Sequence, residues 1–292
     1  MNLLLLTFGD KVENHYQAVF AILSFLKSPA IERAIVITDR PDFYRFLAER
    51  VDVVTIDQQT LSEWKAPYQF FWRIKIKAVA LAVARYPDQH LMYVDSDTFL
   101  AGDLGQMVSA LDAGGGYMHL FEEGLGSNTN RTLKRMYQSL AGKTFAGVTM
   151  TANTPMWNAG VIALPASRAA ETVQLALQLC DEMCATDCTR RLIEQFAFSV
   201  ALHEKTQLAG CENIIGHYWG NKPEWDAFIT QFFATNLLKG ATLADCIEQM
   251  RTINWKRLPL EKRKRSSTER IKRWLDGTFK PRRVRYFQGD SP

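Results

Sequence analysis

The run L-M-Y-V-D-S-D-T-F-L, Leu91 to Leu100, sets two carboxylates between two apolar segments. Leu91 to Val94 read as a buried strand, and period-two geometry then puts Asp95 and Asp97 on one side of the chain as it leaves a sheet. Two acids held so closely call for a cation. They could chelate a hard divalent metal, form the nucleophile and acid of a phosphotransfer enzyme, or sit idle at a strand end, and the surrounding chain has to choose.

Working outward, Asn2 to Thr7, Ile31 to Thr38 and Val51 to Ile56 are apolar runs of strand length, separated by helical spacing at Tyr16 to Leu26 and Phe43 to Leu47. Strands that are apolar throughout and alternate with helices predict an α/β fold, a mostly parallel sheet covered on both faces. Ligands of such sheets bind beyond the carboxyl ends of the strands, which is where Asp95 and Asp97 fall. Phe71 to Ala84 reads as a helix leading to the acid-bearing strand. Arg73 and Lys77 share one face of it and Lys75 lies on another; a basic face of this kind is either solvated or turned over the sheet edge toward an anionic ligand. After the acids, Leu104 to Leu111 reads as a helix and Tyr117 to Leu120 as a strand. Phe121 to Met156, long and glycine-rich around a helical Arg131 to Leu140, is a candidate substrate-facing insertion. Trp157-Asn158-Ala159-Gly160 opens a further strand through Leu164. Ala166 to Met183, Arg191 to Leu202 and Trp225 to Leu238 read as helices, with Pro223 closing the segment before the last.

Composition is that of an ordinary globular chain, 47% hydrophobic and 23% charged over 292 residues, so a sizeable core and not disorder is expected. Seventeen Phe, nine Tyr and seven Trp exceed what a minimal core needs, which points to aromatics at a site or contact surface. The five cysteines, odd in number and without a recognisable secretory leader, fit a reduced, cytoplasmic protein. Cys180, Cys184 and Cys188 form a helical stripe whose spacing matches no usual zinc pattern, so packing is expected of them. No apolar run is long enough to cross a bilayer. The net charge of +4 conceals a polarised chain: Arg251 to Arg285 holds fourteen Lys or Arg against three acids, a net of +11, leaving −7 for the remainder. A basic tail on an acidic body suggests an anionic surface as partner.

Four segments in order then carry a resemblance: W-R-I-K at Trp72 to Lys75, D-S-D at Asp95 to Asp97, N-A-G-V at Asn158 to Val161, and H-Y-W-G-N-K-P at His217 to Pro223. Together, over about 150 residues, the chain resembles glycosyltransferase family 8, the group of glycogenin and the lipopolysaccharide galactosyltransferases. The resemblance implies a GT-A fold, Rossmann-like, with a mixed, mostly parallel sheet flanked by helices. The expected division is a catalytic domain over 1–240 and a basic helical extension over 241–292.

It further implies a retaining transfer of a hexose or N-acetylhexosamine from a UDP-sugar to a saccharide or lipid-linked acceptor, as in lipopolysaccharide biosynthesis. Asp95, Asp97 and His217 would hold Mn²⁺ or Mg²⁺, an imidazole among oxygen ligands favouring Mn²⁺. Lys222 would reach the diphosphate and Gly220 permit close backbone approach. Arg73, Lys77, Thr7 and Asp10 complete the expected nucleotide contacts, Asp10 standing where the family pattern places acidic and amide residues. Asn158, Gln195 and Glu194 map to the positions near the donor sugar, Glu194 replacing the more common Asp. Gln195 is a poor nucleophile, which favours a front-face mechanism over a double displacement. The tail, with Leu260, Ile271, Trp274 and Leu275 among its bases, would rest on the inner face of the cytoplasmic membrane. No specific nucleic acid is expected. Two alternatives stand beside this reading: a haloacid-dehalogenase-type phosphatase using Asp95 and Asp97, and a sugar-nucleotide-binding protein without catalysis.

Overall fold

The computed structural model describes residues 1–127 and 131–262, together with Ile271, Trp274, Leu275 and Thr278. Among the described residues, the strands are β1 (Asn2–Thr7), β2 (Arg33–Thr38), β3 (Val51–Thr55), β4 (Leu91–Val94), β5 (Thr98–Leu100), β6 (Gly116–Met118), β7 (Phe121–Gly124), β8 (Thr144–Phe145), β9 (Val148–Thr149), β10 (Pro155–Trp157), β11 (Val161–Leu164), β12 (Leu208–Gly210) and β13 (Ile215–His217). The helices are α1 (Val12–Leu26), α2 (Gln58–Lys65), α3 (Arg73–Arg85), α4 (Gly105–Asp112), α5 (Arg131–Leu140), α6 (Ala166–Cys184), α7 (Ile193–Lys205), α8 (Lys222–Leu238) and α9 (Leu243–Gln249). The fold is α/β.

Seven strands form the main sheet in the order β12-β6-β11-β4-β1-β2-β3. All pairings are parallel except the two made by β11, which runs against its neighbours β4 and β6. Strand residues alternate between two separate cores. Leu4, Ile35, Ile37, Leu91, Tyr93, Ile162 and Leu164 face α3, α6 and α7, whereas Leu3, Leu5, Ala34, Val36, Met92, Val94, Val161 and Ala163 face α1, α4 and α8. This is why the strands read as continuous apolar runs: each face has its own helical cover. Each fully buried Leu of β1 contributes roughly 1.5–3 kcal/mol of transfer free energy.

Chain order decides where a ligand can enter. From β1 the chain winds outward through β2 and β3, then crosses back to lay β4 on the other side of β1. The connections leaving β1 and β4 therefore diverge, opening a crevice beyond the carboxyl ends of those two strands.

Two expectations need correction. Pro223 does not close a segment; it lies in the first turn of α8, where its missing N–H has no helical partner to lose. Nor does the chain leave the core at residue 240. Cys246 and Met250 are buried in the core beneath α1, and the Trp255 ring stacks on Phe99 at 4.4 Å and 13°. Beyond residue 262 the basic extension lies outside the described residues, apart from the exposed Ile271, Trp274, Leu275 and Thr278. The cysteine stripe behaves as expected of packing, with Cys180, Cys184 and Cys188 all buried in the core of α6 and α7.

Candidate metal and ligand site

Asp95 follows β4 directly, and its N–H donates to the Gly160 carbonyl at 2.8 Å, extending the antiparallel register of β4 and β11 by one step. The reversed direction of β11 is what sets the Asn158-Ala159-Gly160 turn beside the end of β4. Two residues on, the short ladder of β5 with β13 pairs Thr98 with His217, and the Tyr218 N–H donates to the Asp97 carbonyl at 3.0 Å. A histidine about 120 residues distant is thereby fixed at Asp97, with Nε2 3.3 Å from Oδ1. Ligand atoms of Asp95, Asp97 and His217 all lie within 4.8 Å of one another. Burial pushes the Asp97 carboxyl up, but the hydrogen bond and charge of His217, joined by Lys222, outweigh it and hold Asp97 well below the usual carboxylate range.

Lys75 is the side chain that closes the site from below. It is 6% exposed, and its Nζ lies 3.1 Å from Asp95 Oδ1, 3.1 Å from Glu194 Oε1 and 3.3 Å from the Ala159 carbonyl. Tyr93, two residues before Asp95 on the same face, donates its hydroxyl to Asp95 Oδ1 at 2.7 Å. Burial lowers the Lys75 ammonium's affinity for its proton, yet Asp95 and Glu194 more than reverse this, so Lys75 stays charged. Burial likewise raises the Glu194 carboxyl, against the opposing effect of Lys75. Glu194 thus lies beneath the cavity as a partner of Lys75 and does not line it.

Asn158 and Gln195 do line the cavity, together with Thr7, Lys222 and the two aspartates, around a volume of about 560 Å³. Asn158 Oδ1 accepts from the Gly160 N–H at 3.0 Å and lies 3.2 Å from His217 Nδ1. Its Nδ2 donates to Glu122 at 3.0 Å, and the same carboxylate accepts from Gln195 Nε2 at 3.1 Å. Gly160 has no substitute here, because a Cβ on it would lie 2.3 Å from the His217 ring. Lys222 Nζ is 2.8 Å from Asp97 Oδ2. Thr7 Oγ1 shares a 2.5 Å hydrogen bond with the Tyr44 hydroxyl. Among the rings lining the cavity, Phe8, Phe71 and Trp72 stand edge to face, centroids 5.3 and 5.0 Å apart, and Trp219 is 55% exposed. Behind the site, buried His119 packs its ring against His217, and burial with the neighbouring imidazole pushes it down to about 4.

Four expected ligand contacts fall elsewhere. Arg73 turns away from the cavity to grip Asp181 of α6 with two hydrogen bonds of 2.7 and 2.9 Å, and Lys77, one turn further along that side, does not line it either. The helix periodicity separated the two faces correctly, but Lys75 and not Arg73 is on the one turned to the crevice. Asp10 is exposed and bonded to Arg40, with Gly9 carrying the chain away from the end of β1. Gly220 is bridged to Glu261, whose Cγ would lie 2.6 Å from an added Cβ, so its close approach is to the chain's own tail segment and not to a ligand. Sequence reasoning missed Lys75, Tyr93 and Glu122 as site residues. Tyr93 was legible from its period-two relation to Asp95, whereas nothing in F-E-E-G marks Glu122.

The donor set of two carboxylates and one imidazole suits a first-row divalent cation with open positions for oxygen ligands. Scanned against protein-family models the chain matches none, and a search of curated proteins likewise returned no match.

Proposed function

We propose that the protein is a cation-dependent glycosyltransferase of the GT-A type that takes a UDP-sugar as donor and a saccharide or lipid-linked saccharide as acceptor. The observation that carries this reading is the convergence of Asp95, Asp97 and His217 at the diverging ends of β1 and β4, on a cavity that also presents Lys222, Asn158 and Gln195. A divalent cation held there would offset the negative charge that grows on a departing diphosphate. Lys222 supports the same charge from the opposite side of Asp97. Asn158 retains one amide hydrogen beyond its bond to Glu122, and Gln195 is oriented by that carboxylate, so both amides can hold sugar hydroxyls without adjusting. In the step itself the bond from anomeric carbon to diphosphate oxygen breaks and one from the acceptor oxygen forms on the same face. The acceptor proton passes to the departing oxygen, and configuration is retained. Thr7 at the end of β1 and the Phe8, Phe71 and Trp72 rings are suited to the nucleoside end.

The phosphatase alternative receives less support, because the second carboxyl of its pair must act as an acid. His217 and Lys222 engage both oxygens of Asp97 and hold it ionised, so it is poorly placed to give up a proton. The binding-protein alternative is separated by experiment. The wild-type protein is expected to hydrolyse a UDP-sugar slowly in the presence of Mn²⁺, and Asp97→Ala to lose that activity by about 10²-fold or more. Nucleotide-sugar binding without turnover would support the binding protein, and product analysis showing inversion would end the front-face proposal.

A further inference from the structure

Asn158 was expected at the sugar, yet most of its hydrogen-bonding capacity is spent within the protein. The direction of its amide follows from its neighbours. The Gly160 N–H can only donate and the Glu122 carboxylate accepts, so a flipped amide would set donor against donor at 3.0 Å and oxygen against oxygen at 3.0 Å. Oδ1 must therefore be the atom facing His217 Nδ1 at 3.2 Å. An acceptor there requires a proton on Nδ1, so the exchangeable position is Nε2, 3.3 Å from Asp97: protonated it donates to that carboxylate, and deprotonated it offers its lone pair to a cation.

We propose that Glu122, acting through Asn158, keeps a proton on Nδ1 of His217, so that Nε2 is the nitrogen presented to a cation shared with Asp95 and Asp97. Glu122 and Asn158 are then positioning residues for the cation site. The inference rests on reading those three residues as that site. It also gives the insertion a purpose: β7, which carries Glu122, pairs with β10 just before Asn158, so a cation ligand is oriented by a segment outside the main sheet. Histidine ligands in metal sites commonly donate their second ring N–H to such an acceptor, and loss of that partner weakens metal binding by about 10–100-fold.

The test uses full-length protein with ¹⁵N-labelled histidine, free of metal, read by long-range ¹H–¹⁵N correlation, with the His217 signal assigned by its loss in His217→Asn. Wild type is expected to keep Nδ1 protonated, whether Nε2 donates to Asp97 or is bare. Glu122→Ala and Asn158→Ala are expected to give a mixture of tautomers and about ten-fold weaker Mn²⁺ binding, measured from the free-ion electron paramagnetic resonance signal. Asn158→Asp alone would set two carboxylates against each other and stay weak. Combined with Glu122→Gln it restores the donor between them at unchanged total charge, and both readouts are expected to recover. That recovery separates orientation from simple loss of negative charge or of fold. A bare Nδ1 in wild type overturns the proposal, as does Glu122→Ala with unchanged tautomer and Mn²⁺ affinity, or a double variant that folds and does not recover. A wild-type protein that keeps Nδ1 protonated and binds no Mn²⁺ overturns the cation-site reading instead.

Discussion

At the scale of single residues, Lys75 joins sequence to site. Its ammonium lies among Asp95, Glu194 and the Ala159 carbonyl, 5.0 Å from the centre of the Tyr93 ring. A buried cation between two acids is stable only while all three charges are present, and removing one partner of such a cluster typically costs about 3–5 kcal/mol. Lys75→Met should therefore lower the denaturation free energy by about that amount, and adding Glu194→Gln should return part of it by removing one uncompensated charge. Equilibrium urea unfolding measures both; a Lys75→Met midpoint equal to wild type would show that the cluster contributes nothing to stability. Arg73 and Lys75 look alike in W-R-I-K. What separates them is the rotation of α3 about its axis, set by how Ile74, Ile76 and Val79 seat in the core. No residue-level pattern contains that angle.

At the scale of elements, the short ladder of β5 with β13 holds half of the site, and an aromatic stack holds the ladder. Phe99 lies between Trp225 at 4.8 Å and Trp255 at 4.4 Å, while Tyr218 stacks on Trp225 at 4.6 Å. Trp225 is on α8, and Trp255 follows α9, so residues 241–258 support the strand that carries His217. A chain ending at residue 240 would lose the buried Cys246 and Met250 and the partly buried Trp255, and loss of a buried side chain the size of Met costs about 2–5 kcal/mol. It is expected to unfold at distinctly lower denaturant than a chain ending at residue 262. Equal midpoints for the two would refute the supporting role given to 241–258. Of these elements α8 was legible, with Trp225 and Ile229 buried at helical spacing, whereas α9, with Cys246 its one buried residue, was not read as a helix. That Trp255, with no periodic context, belongs to the core could only come from its neighbours in space.

At the scale of the whole molecule, the charge is divided between an acidic body and a basic end. The described part of that end exposes Ile271 at 58% and Trp274 at 64%, the anchors that interfacial binding would use. No helix among the described residues is long and apolar enough to cross a membrane. On the proposed reading the full chain sediments with vesicles of phosphatidylserine at low salt and is released at high salt, whereas a chain ending at residue 262 stays in the supernatant. Sedimentation of the shorter chain would place the attraction in the body instead. The sequence by itself determined the α/β class, most element positions and the acid pair at the end of β4, because these depend on local periodicity and on the chemistry of adjacent side chains. Only the tertiary structure decided that the reversed β11 brings Asn158 to Asp95, that β13 brings His217 to Asp97, that Lys75 displaces Arg73 from the cavity, and that Glu122 orients the amides above it. Those are consequences of strand order, register and helix rotation, which arise from packing between distant segments and leave no mark at any one position in the chain.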